Sequence, residues 1–133
     1  MVDSIEHINP KNMSKNPAFS QAVKVKSGAG LLFIGGQNAV DTQGKVVGAG
    51  DIKAQTVQSL ENLKMVLEAE GLQPGNVVKW NIHIVQGNSV KDGFEAFQES
   101  WDMHSAQPAI SVTMVSGLAN PEFLVEIDAV AAY

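Results

Sequence analysis

Few side chains in this chain can do chemistry, and their types narrow the reactions. There is no cysteine among the 133 residues, which excludes disulfides, thiolate metal ligands and thiol nucleophiles. All nine cationic residues are lysine, so no guanidinium fork is available to grip a carboxylate from two sides. The histidines, His7, His83 and His104, stand far apart without metal-type spacing. His83 shares one side of a strand with Lys79 and Asn81, a pattern that fits a surface or subunit contact better than a ligand. Ser20 and Ser111 lack a recognisable histidine and aspartate partner set, so nucleophilic catalysis has little support. The doublet Gly35-Gly36 allows close backbone approach, by a ligand or by another strand, and Gln37 follows it as a packing, interface or ligand-binding amide. No glycine pattern of the dinucleotide-binding type opens a helix. That leaves Glu126. A desolvated carboxyl without a cationic neighbour suits general acid or base work near neutral pH. The same residue reads equally well as a structural carboxylate at a subunit contact.

Positioning these groups requires a scaffold, and the hydrophobic pattern describes one. Residues 1–20 read as an entry arm, because Asn9-Pro10 and Asn16-Pro17 favour extended or turn backbone. Strands are expected at Ala22–Lys26 and Leu31–Ile34, and a hairpin tip at Asp41–Gly44 with Lys45-Val46-Val47 as a short return. Asp51 to Glu70 is the clearest helix, capped by Asp51, ended by Gly71 and striped by Val57, Leu60, Leu63 and Leu67. After a turn at Gln73–Asn76, Val77–Val85 reads as a strand with Val78, Trp80, Ile82 and Ile84 on one face. A second helix starts from Ser89, which has Asp92 three residues on. Its stripe of Val90, Phe94, Phe97 and Trp101, with Trp80, reads as helix–sheet core. Strands at Ile110–Val115 and Phe123–Ala132 flank a loop at 116–121. This order predicts an α+β domain spanning 1–133, one mixed sheet with two helices on a single face. Its uncovered face predicts oligomerisation.

The composition agrees with a globular domain: 44% hydrophobic and 17% charged residues. A net charge of −5 and the lack of any basic run argue against a nucleic-acid partner. The polar N-terminus has no apolar signal segment, and no apolar run is long enough to cross a bilayer. A cytoplasmic protein without membrane attachment is expected.

Taken in order along the chain, several short motifs resemble the Rid family, also called YjgF or the translation-inhibitor endoribonuclease-like family. They are Phe19-Ser20-Gln21-Ala22, Phe33-Ile34-Gly35-Gly36-Gln37, the Asp41–Gly44 turn with Val46-Val47-Gly48, Leu60-Glu61-Asn62-Leu63, Asn76-Val77-Val78-Lys79, Pro108-Ala109 and Glu126–Ala131. The resemblance runs from about Asn16 to the end of the chain. It implies a chorismate-mutase-like fold and a homotrimer with a central barrel, helices outside and three clefts between subunits. It also implies cofactor-free and metal-free hydrolysis of reactive imines or enamines, such as 2-iminopropionate. In that family an arginine after Pro-Ala holds the substrate carboxylate, backbone amides near the Gly-Gln hairpin line the cleft, and the residue matching Glu126 positions water.

Two departures change the expectation. Ile110 stands where the arginine belongs, and Phe19 replaces a tyrosine. Losing the charge-assisted fork costs roughly one to two decades of carboxylate affinity. Leaving a carboxylate against isoleucine adds a desolvation penalty. The expected protein is therefore a Rid-like homotrimer that binds a less polar small molecule. Glu126 is its catalytic candidate, and Phe19, Gly35, Gly36, Gln37, Ile110 and Ser111 are its binding candidates. Deaminase activity on 2-iminopropionate is expected to be weak or absent. The alternatives are an Ile110 that is simply a core residue in a cleft without function, a non-catalytic binding or chaperone-like protein, and the RNA cleavage of the family's older name.

Overall fold

The computed structural model describes residues 4–14, 16–104 and 106–133. The elements run β1 (Ile5–Ile8), β2 (Ala22–Val25), β3 (Leu31–Gln37), α1 (Ile52–Ala69), a short 3-10 turn (Pro74–Asn76), β4 (Val77–Val85), α2 (Val90–Ser100), β5 (Ala109–Val115) and β6 (Val125–Ala132). Four strands form one mixed sheet in the order β3-β6-β4-β5. β6 runs antiparallel to β3 and β4, whereas β4 and β5 are parallel. A parallel pair needs a crossover, and α2 supplies it.

Local chemistry sets the helix ends. The Asp51 carboxylate accepts from the Ala54 N–H at 3.1 Å, and the Ser89 hydroxyl accepts from Asp92 N–H at 3.1 Å. Gly71 ends α1 with φ +68°; its N–H donates to the Glu68 carbonyl and that of Leu72 to the Leu67 carbonyl. Leu60, Leu63 and Leu67 of α1 and Phe97 of α2 pack on Trp80, Ile84, Ile127 and Ala129 of the sheet. Trp80 meets Phe97 and Trp101 edge-on, at centroid separations of 5.6 and 4.7 Å. Both helices thus cover one sheet face, as expected.

Several expectations need correction. The entry arm contains β1, which pairs antiparallel with β2 from Ile5↔Val25 to Ile8↔Ala22, so the strands form a two-stranded ribbon beside the main sheet. Both prolines lie in the long connection between them, and only a distant partner reveals the strand. (Residues 1–3 and Lys15 of the arm lie outside the described residues.) Lys45–Val47 is not a strand: it keeps a single bridge, Val40↔Val46, beyond a tip held by the Asp41 carboxylate. β6 begins at Val125 rather than Phe123, because Leu124 N–H is taken by Gln55 Oε1 at 2.9 Å. On α1, Val57 is exposed, and Gln55, Thr56 and Ser59 fill the buried face instead. Phe94 is 42% exposed and Val90 44%, so the outer half of the α2 stripe is not core. Val77 and Val78 are both buried, where the pairing of β4 with β6 slips between Val77 and Lys79.

Candidate functional site

Strand alternation divides the candidate residues between the two faces of the sheet. β5 follows β4 in register, Trp80↔Ile110, Ile82↔Val112 and Ile84↔Met114 on the helix side, Asn81↔Ser111 and His83↔Thr113 on the open side. On β6, Ile127 and Ala129 face the helices, whereas Glu126 and Asp128 lie opposite His83 and Asn81 on the open side. Ile110 and Glu126 therefore project from opposite faces of one subunit.

On the helix side, Ile110 lines a cavity of ≈ 210 Å³ between α2 and the edge of the sheet. Phe19, Ile82, Phe94, Phe97 and Val112 share its wall. Phe19 arrives there because Ser20 fastens the entry segment to the start of β5. The Ser20 N–H donates to the Pro108 carbonyl at 3.0 Å and its hydroxyl to the Gln107 carbonyl at 2.5 Å. Among the described residues no ionisable side chain belongs to this wall, and its side-chain polar groups are those of Asn16 and Thr56. Phe19 and Ile110 thus meet in one apolar space.

The open face carries a different chemistry. Glu126 lies across Gly36, where a Cβ would stand 2.6 Å from the carboxyl carbon and from Oε2. Gly36 is thus the close-approach glycine. Gly35, by contrast, has open space at its Cβ position. The pair forms an irregularity between Ile34↔Ala129 and Gln37↔Ile127, and Gln37 Nε2 donates back to the Gly35 carbonyl at 3.1 Å. Lys79 Nζ donates to the Ser111 hydroxyl at 2.8 Å, and Asn81 Nδ2 to Asp128 Oδ1 at 2.8 Å. The His83 ring bridges Thr113 Oγ1 at 2.7 Å and Asp128 Oδ2 at 3.4 Å. Glu126, Gly36, Gln37 and Ser111 accordingly belong to this face or its edge, apart from Phe19 and Ile110.

Sequence reasoning missed the Thr113–His83–Asp128 chain, because only the pairing register brings three distant strand positions together. It also missed Gln55. This fully buried amide donates to the Gly48 and Glu122 carbonyls and accepts from Leu124 N–H, fixing two loops against α1. A polar residue inside an otherwise apolar helical stripe was the available signal. Away from both faces, burial lowers the His7 pKa, while the hydrogen bond and charge of Glu95 raise that of Lys53. Among the described residues, no group of three or more His, Asp or Glu is placed to hold a metal ion, and no helix is long and apolar enough to cross a membrane.

Comparison with known proteins places this geometry in a family. The model of the endoribonuclease L-PSP family matches residues 11–133. A RutC family protein of Pyrococcus horikoshii is 35% identical over 113 residues, covering 85% of each chain. A 2-iminobutanoate/2-iminopropanoate deaminase of Salmonella typhimurium is 33% identical over 102 residues, covering 76% of this chain and 78% of that protein. Among solved structures, YyfB of the Rid family from Yersinia pestis superposes with a TM-score of 0.86 at 37% identity, covering 98% of this chain and 99% of the other. The helices, the mixed sheet and the antiparallel ribbon have the chorismate-mutase-like arrangement expected from the motifs. The chain belongs to the endoribonuclease L-PSP family, the family of the Rid and RutC proteins.

Proposed function

We propose that this protein is a cytoplasmic Rid-type homotrimer that binds a small molecule in clefts between subunits and hydrolyses a C=N bond there. One observation carries the reading: Ile110 and Glu126 occupy opposite faces of a single subunit, so a cleft using both takes them from two chains. The open face supports assembly, since Phe33 on it is 73% exposed and would be covered by a neighbour. In the reaction, a water oxygen adds to the imine carbon, the C–N bond breaks, and a ketone and ammonia leave. Glu126 from one subunit takes a proton from the attacking water and passes it to the nitrogen, and the hydroxyl proton of the carbinolamine so formed follows to the nitrogen as the C–N bond breaks.

The substrate differs from that of the Salmonella deaminase. With Ile110 and Phe19 in the cavity, a substrate carboxylate meets no cation among the described residues of the wall, and affinity for 2-iminopropanoate drops by roughly ten- to a hundredfold. Ammonia release from imines generated in situ by an amino-acid oxidase tests this. The expected rate on 2-iminopropanoate is close to that of buffer. A rate well above buffer that survives Glu126→Gln would sink both the predicted loss and the role of Glu126. A non-catalytic binding protein is the second reading, favoured by the apolar character of the described cavity wall. It predicts ligand binding without turnover, unchanged by Glu126→Gln. RNA cleavage has no support in a chain of net charge −5 without arginine.

A further inference from the structure

We infer that the helix-side cavity selects a neutral, apolar ligand of about single-ring size, and that Gly93 keeps the room for it. The inference rests on the reading of this cavity as a small-molecule site and names the class of molecule it takes. The wall offers little polar chemistry. Thr56 is buried and already donates its hydroxyl proton to the Ile52 carbonyl at 2.8 Å, which leaves it only an acceptor. The Asn16 side chain accepts from the Ala18 N–H at 2.9 Å, near the rim. A carboxylate entering this space loses water and gains no cation from the described residues of the wall, whereas a hydrocarbon ring loses nothing of that kind. An apolar cavity of about 150 Å³ already holds benzene. At ≈ 210 Å³ the space matches one substituted ring or a branched chain of similar bulk. Phe94 and Val112, 42% and 50% exposed, provide an apolar mouth.

Gly93 supplies an independent argument. It lies inside α2 and on the cavity wall, and its backbone is not among the positive-φ glycines. A Cβ there would meet Ile52 Cγ1 and Thr56 Oγ1 at 3.7 Å, an ordinary contact. Neither backbone geometry nor packing demands glycine, and helix propensity favours alanine. The missing methyl leaves space in the wall. A local choice that lowers helix stability without a packing reason is the mark of a functional constraint.

The test uses full-length protein in its solution oligomer and two probes matched in size, acetophenone (the ketone product of a neutral ketimine) and benzoate. Calorimetric titration is expected to show acetophenone binding about tenfold or more tightly than benzoate. Gly93→Ala should weaken acetophenone roughly tenfold, as one methyl group in a tight apolar pocket does, while raising the unfolding temperature. Ile110→Arg should reverse the preference. Benzoate binding as well as acetophenone overturns the ligand class but leaves a small-molecule site. Equal acetophenone affinity in the Gly93→Ala protein overturns the role of Gly93. If neither probe binds and Ile110→Arg gains no benzoate affinity, the small-molecule reading falls with the inference; a side chain of a second copy filling the cavity would give that result.

Discussion

Glu126 and Ile127 are consecutive residues of β6, yet they serve opposite surfaces. Ile127 is wholly buried against the helices and borders the apolar cavity, whereas Glu126 lies on the open face over Gly36, beside the polar chain of His83, Asp128 and Thr113. The helix side is held by burial, and its buried Gln55 and Thr56 are bonded to backbone groups. The open side exchanges short hydrogen bonds between neighbouring strands, and its half-exposed groups remain available to water or to another subunit. In this fold the cavity and the carboxylate are therefore built separately, and a cleft that uses both must bring one face of a subunit to the other face of its neighbour.

Substitutions can break or sharpen this contrast. Ile127→Ala should cost about 2–5 kcal/mol, the range for deleting a fully buried aliphatic side chain, while Glu126→Gln one position earlier should stay within about 0.5 kcal/mol. Urea titration of the two variants measures the difference, and similar costs would mean that the open face is also structural core. Gln55→Leu should cost about 3 kcal/mol. It strands two carbonyls and one N–H that the amide now satisfies. Amide exchange at Leu124 should speed up in that variant. Gly93→Ala should stabilise by about 0.5–1 kcal/mol, in contrast to these losses. Gly36→Ala should change stability less than Ile127→Ala, because the Glu126 carboxylate it displaces is the free end of a flexible side chain. If Glu126 acts on water, this variant should lose turnover while keeping ligand affinity.

The smallest effect is expected far from either face. Burial lowers the His7 pKa below its ordinary 6.5, so the unfolded chain takes up that proton before the folded one. Stability from this residue is complete above pH 6.5 and declines as the pH falls through the depressed folded value. His7→Gln should flatten the decline of the urea midpoint as the pH falls below 6.5. A slope unchanged by that substitution would show that carboxylates, not His7, set it.

Much of the scaffold was legible because its signals are local. Asp51, Ser89 and Gly71 mark helix ends through contacts within a few residues, and the strands at 77–85 and 110–115 show in their apolar pattern. β1 was not legible, since four residues before a proline-containing arm become a strand only when β2 lies beside them. Phe94 shows the same limit from the opposite direction. Its helical spacing matches Phe97 and Trp101, but the sheet ends beneath it and leaves a cavity mouth. The candidate site was half legible. Ile110 with Phe19, and Glu126 with Gly36, were named as residues, but their grouping into two separate places was not.

By itself the sequence determined the family motifs, the order of elements, the absence of arginine and cysteine, and the alternation that parts Glu126 from Ile127. These follow from composition and from periodicities of two and 3.6 residues, which act over one strand or one helical turn. Tertiary structure decided which face each alternating set occupies and where the helices leave a gap. It brought Phe19 to Ile110 through Ser20, set Glu126 against Gly36, and placed Gly93 on the cavity wall. Such choices depend on strand register between segments tens of residues apart, and a shift of one residue there would exchange the apolar and polar faces.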